Sequence, residues 1–315
     1  MKAAVLKKYG TLPEYQEFPE PEPKNSDELL VTPIASSVKR LDVIRAAGKH
    51  YTKFSELPAV MGMDGVAKLD NNSCVYAMGI TGMMAEKALI DQRAMTVLPD
   101  GLDAGLAAAL PNALVGSDLA LLERGKIKTG DVVFINGATG LTGSLAVQMA
   151  KLRGAKRVIV TGRDPIKLQH LKDLGADLTI TTDQPDKSFV KELINAYNQS
   201  PFNLILDYLW GHPAELIIEA LRRIRFLNSL KYISIGSLAG EGISVPSQLL
   251  RSKDLELIGS GIGSLDPNAV QVYMQKHLTE IFDYANQGKL SMELKSFPLD
   301  KISSAWISAP AVITI

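Results

Sequence analysis

The sequence predicts an α/β protein with two parts, a doubly wound parallel sheet and a separate β-rich domain. Three observations predict it. Residues 116–263 alternate short apolar runs with stretches of helical period, the pattern of parallel strands covered by helices on both faces. Within that region the apolar run Val132, Val133, Phe134, Ile135 is followed by Gly137, Gly140 and Gly143 and then by a helical repeat of Leu141, Leu145, Met149 and Leu152. Residues 1–115 carry strand-like runs without that alternation, so they form a domain of their own.

Taken in order, residues 3–7 read as a short strand and 29–34 as another, with Pro33 placing it at a sheet edge or strand end. Val38, Leu41 and Ile44 give residues 38–47 helical character. Residues 61–69, with Gly62 and Gly65, read as a tightly turning strand. Strands follow at 73–78 and 85–90, then a run at 94–98 before the turn Pro99-Asp100-Gly101. Residues 104–122 are rich in small side chains and read as a helix broken near Pro111. From there strands at 132–135, 158–160, 178–180, 204–208, 232–235 and 255–258 are joined by helices at 141–152, 165–174, 188–197 and 214–224. Six such strands make a full Rossmann sheet. A long helix over 268–286 is closed by Gly288, and the tail at 311–315 returns to the first domain. The expected domains are therefore 1–115, completed by 264–315, and 116–263.

The stretch from 131 to 163 is strand, glycine-rich turn, helix, strand, a βαβ unit shaped to receive a pyrophosphate. Ala138, Gly140 and Gly143 hold the positions of a G-x-G-x-x-G fingerprint, with alanine for the first glycine. Ala138, Thr139, Gly140, Leu141 and Thr142 are the candidate phosphate-binding residues. A plain structural turn is the alternative. An NAD site places Asp or Glu after the second strand, for the ribose 2′-hydroxyl. Here Gly162 leaves room for a 2′-phosphate, and Arg163 and Lys167 supply cations to pair with it. NADPH is favoured over NADH. Against this, Arg163 and Lys167 also read as solvated surface charges, and Asp164 lies near enough to serve a 2′-hydroxyl.

Composition sets the limits. The chain has 315 residues, 46% hydrophobic and 22% charged, enough for two soluble domains. A net charge of +0 argues against nucleic acid or a membrane surface as partner. No run approaches the ~20 apolar residues of a membrane span, and the first residues carry too short an apolar run for a signal peptide. The single cysteine, Cys74, permits no internal disulfide and fits a reducing, cytoplasmic setting.

The whole chain resembles a medium-chain dehydrogenase/reductase, nearest to the zinc-free quinone oxidoreductases. The residues that carry the resemblance are Gly62-Met63-Asp64-Gly65, the stretch from Gly130 to Gly143 with Ala150-Lys151, Leu174-Gly175-Ala176-Asp177, Leu206-Asp207-Tyr208, Ile235-Gly236-Ser237, Gly288-Lys289-Leu290, Pro298-Leu299 and Ala305-Trp306. It implies a GroES-like catalytic domain split across both ends of the chain, a central Rossmann domain and a homodimer. One cysteine and four scattered histidines do not supply a structural zinc site and make a catalytic one improbable, so no zinc is expected. The implied activity is NADPH-dependent hydride transfer to a quinone or enone. A ketone or aldehyde reductase, or a non-catalytic NADPH-binding redox sensor, are the alternatives.

The resemblance also implies site residues. The segment Ser37-Val38-Lys39-Arg40-Leu41-Asp42 stands where quinone oxidoreductases read Val-Asn-x-x-Asp, so Asp42 matches and Lys39 replaces the Asn. Lys39 is a candidate oxyanion stabiliser, or a surface lysine at a helix start. On the loop that follows, read from the residues alone, His50 or Tyr51 is a candidate proton donor, or His50 is a solvated or structural group. Ser117 stands where the family has a Thr that meets the cofactor, or is a satisfied helical serine. Tyr208 lines the nicotinamide pocket or packs between domains. Gly236 and Ser237 offer backbone contacts to the nicotinamide amide.

Overall fold

A computed structural model describes residues 1–50 and 53–315. The chain divides into two compact units, Met1–Asn112 with Met274–Ile315, and Ala113–Tyr273. Both divisions fall inside helices.

In chain order the first unit contains β1 (Lys2–Leu6), β2 (Glu14–Glu17), β3 (Glu28–Val38), α1 (Arg40–Ala46), β4 (Ala59–Val60), β5 (Asp64–Lys68), β6 (Cys74–Gly79) and β7 (Ala88–Val97), and α2 (Ala104–Leu119) begins in it. The second unit follows with β8 (Val132–Asn136), α3 (Leu141–Leu152), β9 (Arg157–Gly162), α4 (Pro165–Asp173), β10 (Leu178–Thr181), α5 (Asp186–Gln199), β11 (Leu204–Asp207), α6 (Gly211–Arg223), β12 (Leu230–Ser234), α7 (Ser247–Ser252) and β13 (Leu255–Gly259). The long α8 (Pro267–Asn286) leads back to β14 (Ser296–Pro298), α9 (Ile302–Ile307) and β15 (Ala311–Thr314) of the first unit.

The second unit has one six-stranded sheet, ordered β10-β9-β8-β11-β12-β13, with every pair parallel. This is a Rossmann sheet whose strand order reverses between β8 and β11, so ligands are expected at the carboxyl ends there. Its strands read as continuous apolar runs because both faces are covered. On one face Phe134, Ile159, Ile205 and Tyr232 pack under Phe189, Leu193, Ile217 and Leu221 of α5 and α6.

In the first unit β3 pairs with β5 and with β7, and β5-β6-β7 complete the ring, so the sheet closes on itself. The tail reaches this sheet, as expected, because β15 pairs antiparallel with β3. Pro33 does not mark an edge. It lies inside β3, where the register against β5 shifts between Pro33 and Ala35, and that irregularity accommodates a residue without an N–H. Residues 88–97 form one strand, not two.

Nor does Pro111 break its helix. α2 runs through it, and the Ser37 hydroxyl, near the end of β3, donates to the Ala108 carbonyl (3.0 Å), close to the turn that Pro111 deprives of a backbone bond. With the π-turn at Ala120–Gly125, the helical stretch 104–125 is long and apolar enough by length and composition to cross a membrane. That corrects the expectation that no stretch reaches such a length. Most of it is buried inside the protein, as in a core helix.

Candidate functional site

The glycine turn is built between β8 and α3. Gly137 sits at φ +83°, a region that favours glycine, and a Cβ there would lie 2.6 Å from Leu209 Cγ. Ala138 is fully buried, and its N–H donates to the Thr161 carbonyl (2.8 Å). Gly143 lets α3 close onto the turn, since a Cβ at that position would lie 2.6 Å from Ala138 Cα. Gly140 differs from both. It is exposed, it is the N-cap of α3 with no side-chain cap, and a Cβ built on it would meet nothing within 4 Å. The N–H groups of Leu141, Thr142 and Gly143 open the helix without intrahelical partners, beside the partly buried Thr139. An uncapped helix start with open space before it is suited to an anion.

Past β9 the arrangement differs in part from what the sequence suggests. Gly162 does not leave a void. The space a Cβ would take is filled by the Thr139 methyl and approached by Leu168, so the glycine serves contact between strand end and turn. Asp164 caps α4, with its Oδ1 accepting the N–H groups of Ile166 (2.9 Å) and Lys167 (3.1 Å), which commits that oxygen to the helix. Arg163 and Lys167 are exposed. Between them Ile166 is 81% exposed, an apolar side chain beside two cations. Its place in a helix first turn directly after Pro165 was the available signal.

At the far side of the turn, Ser117 Oγ and Tyr208 Oη share a hydrogen bond of 2.6 Å, with both residues buried. Ser117 is therefore a partnered serine within α2. Burial pushes the Tyr208 phenol above its ordinary pKa, and the bond from Ser117 opposes this only in part. Gly236 follows β12, and a Cβ there would lie 2.8 Å from the Tyr208 carbonyl oxygen. The Ser237 hydroxyl donates to Glu241 Oε1 (2.8 Å). Gly236, Ser237, Trp210 and Ser260 line a pocket of about 520 Å³ at the carboxyl ends of β12 and β13. Ser260 Oγ is buried there without a hydrogen-bond partner.

The first unit holds a second polar centre. Lys39 is not a surface residue. It is the N-cap of α1 and 5% exposed. Its ammonium pairs with Asp64 Oδ1, lies 3.7 Å from Asp42 Oδ2 and donates to the Ser37 carbonyl (3.3 Å). Asp64 Oδ2 accepts from Tyr76 Oη (2.8 Å), and Asp42 Oδ2 accepts the Lys39 backbone N–H (3.0 Å). Burial opposes the Lys39 charge, but the two carboxylates outweigh it and hold its pKa above the ordinary value. Burial raises the Asp42 pKa against the pull of Lys39, and the same burial together with Asp64 pushes the Tyr76 phenol far up. Asp64 and Tyr76 were missed as members of this group. An Asp inside the run of glycines and apolar residues read as a tightly turning strand was the signal for the first.

Tyr51 lies outside the described residues. Among the described residues no three His, Cys, Asp or Glu side chains come together to hold a metal ion. The buried pair Asp42 and Asp64 is occupied by Lys39.

Residues 142–278 match the zinc-binding dehydrogenase family. A probable NADPH-dependent quinone reductase from Emericella nidulans is 25% identical, over 97% of this chain and 96% of its own. A chloroplastic NADPH-dependent alkenal/one oxidoreductase from Arabidopsis thaliana is 31% identical, over 59% of this chain and 55% of its own. Among solved structures, a quinone oxidoreductase from Thermus thermophilus matches with a TM-score of 0.78 at 24% identity, and all of each chain is covered.

Proposed function

Because the chain belongs to the medium-chain dehydrogenase/reductase family, as a quinone oxidoreductase-like oxidoreductase, we propose that it binds NADPH and transfers hydride to a quinone or an α,β-unsaturated carbonyl without a metal. The observation that carries the reading is the open, uncapped start of α3 at Gly140, facing the place a pyrophosphate needs. The residues present fit that cofactor. Thr139, Gly140, Leu141 and Thr142 would hold its phosphates, Arg163 and Lys167 the 2′-phosphate, and Gly236 and Ser237 the amide end. Ile166 adds an apolar surface beside Arg163.

NADPH, when bound, supplies the hydride. The chain's task is to orient and to exclude water. A quinone or enone takes hydride at an electron-poor carbon, the charge passes to its oxygen, and a proton completes the product. Such an acceptor needs no Lewis acid. The Lys39 ammonium, already neutralised by Asp64 and Asp42, is better suited to fix the start of α1 than to meet that oxygen. Tyr208, kept protonated by burial, holds Ser117 in place. The reading extends to a cytoplasmic homodimer joined along β13, whose outer edge has no strand partner among the described residues.

The test is oxidation of NADPH, and of NADH beside it, by quinones, enones and aldehydes. Turnover with quinones or enones and a preference for NADPH are expected, unchanged by chelators. Arg163→Glu should raise the KM for NADPH about tenfold or more while leaving that for NADH nearly unchanged, since one charge-assisted pairing is worth about 1.5–3 kcal/mol. Aldehydes as much better acceptors than quinones, or NADPH binding with no turnover, would overturn the acceptor assignment.

A further inference from the structure

Asp207, the last residue of β11, is fully buried. Its side chain accepts four hydrogen bonds. Oδ1 takes Asn136 Nδ2 (2.7 Å), Leu209 N–H (2.9 Å) and Trp210 N–H (3.2 Å), and Oδ2 takes Tyr232 Oη (2.7 Å). Its backbone carbonyl accepts Ile235 N–H (2.8 Å) and Gly236 N–H (3.1 Å). One carboxylate thus ties together the ends of three adjacent strands, β8, β11 and β12.

Each donor leads into a wall of the crevice. Asn136 precedes the glycine turn, its Oδ1 accepts the Thr161 hydroxyl (2.7 Å), and that hydroxyl oxygen accepts Gly137 N–H (2.9 Å). Leu209 packs where Gly137 has no Cβ. Trp210 stands at φ +55°, ψ −157°, a conformation that side chains other than glycine rarely adopt. Strain of this kind persists only where the surroundings enforce it. What enforces it here is the bond from Trp210 N–H to Asp207, and the indole stands edge-on to Tyr232 (6.1 Å, 79°), itself held by the same carboxylate. The indole then lines the pocket at the ends of β12 and β13.

We infer that Asp207 is a positioning residue, which locks the glycine turn and the strained Trp210 loop into one preformed crevice before any ligand arrives. Its effect on cofactor affinity rests on the reading that the crevice takes NADPH. Asp207→Asn fits the same space and still reaches Tyr232, but replaces a charged acceptor of four bonds by a neutral carbonyl and an amide.

The experiment combines two readouts. The protein has two tryptophans, so in a Trp306→Phe background the emission comes from Trp210 alone. Asp207→Asn should shift that emission to the red and raise its quenching by acrylamide. In the unaltered background the same change should raise the Kd for NADPH about tenfold by fluorescence titration. Trp210→Gly, which relieves the strained backbone, should shrink the cost of Asp207→Asn to about twofold. Phe202→Leu, a change in the core packed against the same sheet, lowers Tm without moving the Kd. Loss of Tm in Asp207→Asn with unchanged Trp210 emission would overturn the inference. So would an equal cost of Asp207→Asn with Trp or Gly at position 210. Failure of the parent protein to bind NADPH would instead refute the cofactor reading, and the Trp210 emission would still decide whether Asp207 locks the loop.

Discussion

Lys39→Met should cost the protein about 3–5 kcal/mol of stability, the usual consequence of removing one partner from a buried ion pair. The ammonium it deletes pairs with the buried carboxylate of Asp64 and lies 3.7 Å from that of Asp42. Met fills a similar volume, so the loss is electrostatic rather than a cavity. Denaturant unfolding followed by tryptophan emission in a Trp210→Phe background, where the signal is that of Trp306, buried in the first unit, measures it. Adding Asp42→Asn and Asp64→Asn to Lys39→Met should recover most of the loss, because the uncompensated charges go with them. A cost below about 1 kcal/mol for Lys39→Met alone would show that the pairs contribute little, as exposed ones do.

The pH dependence follows from the same cluster. The folded state raises the Lys39 pKa, so this group's contribution is fully present below its unfolded value and is lost as pH rises through the folded one, on the alkaline side. The folded state also raises the Asp42 pKa, through burial, so its contribution is present in acid and is lost as pH rises through that raised value. Asp42→Asn keeps an acceptor for the Lys39 N–H and removes the titration. Its stability relative to the parent should therefore climb as pH rises above the ordinary carboxylate range. A flat difference would mean that Asp42 does not titrate differently in the folded state.

The Rossmann half was legible because its signals are local. A strand covered on both faces must be a short apolar run, and β8, β9 and β11 all are. The turn after β8 was legible for the same reason, since Gly137, Gly140 and Gly143 follow one another at short, even spacing. The spacing alone assigns Gly140 to the approach of phosphates and Gly143 to close helix packing, but it reads Gly162 as room for a 2′-phosphate, where the structure has a packing contact. Gly143 and Gly162 serve close packing and Gly140 faces open space, a distinction set by Ala138 and Thr139 in three dimensions. The polar centres were harder. Lys39 meets Asp64 across 25 residues only because β3 and β5 pair, and Asp207 meets Asn136 across 71 only because β8 and β11 are neighbours. No local period encodes such meetings, so Lys39 read as an oxyanion stabiliser or a surface lysine, not as a partner of Asp64. Pro33 misled for a related reason, because the ring closure that makes β3 an inner strand is not visible along the chain.

Gly140→Asp should leave the fold intact and abolish NADPH binding. Gly140 sits at φ −88°, ψ 169°, extended backbone that Asp adopts freely, and nothing lies within 4 Å of the new Cβ. Asp is also a better N-cap than Gly by a few tenths of a kcal/mol, and its charge suits the start of α3. Tm should therefore hold or rise slightly. The same carboxylate would stand where the cofactor's phosphates need the helix N–H groups, and affinity for NADPH should fall about a hundredfold or more, about 3 kcal/mol. Titration of NADPH fluorescence against protein, beside a thermal melt, gives both numbers. Gly143→Ala provides the opposite case. Its Cβ would lie 2.6 Å from Ala138 Cα, so overpacking of about 1–3 kcal/mol should appear as lost stability first. A turn that served the fold alone would lose stability in both variants or in neither, and would bind NADPH no worse with Asp at position 140. Stability and affinity moving in opposite directions at Gly140 is a result that only a turn shaped for an anion produces.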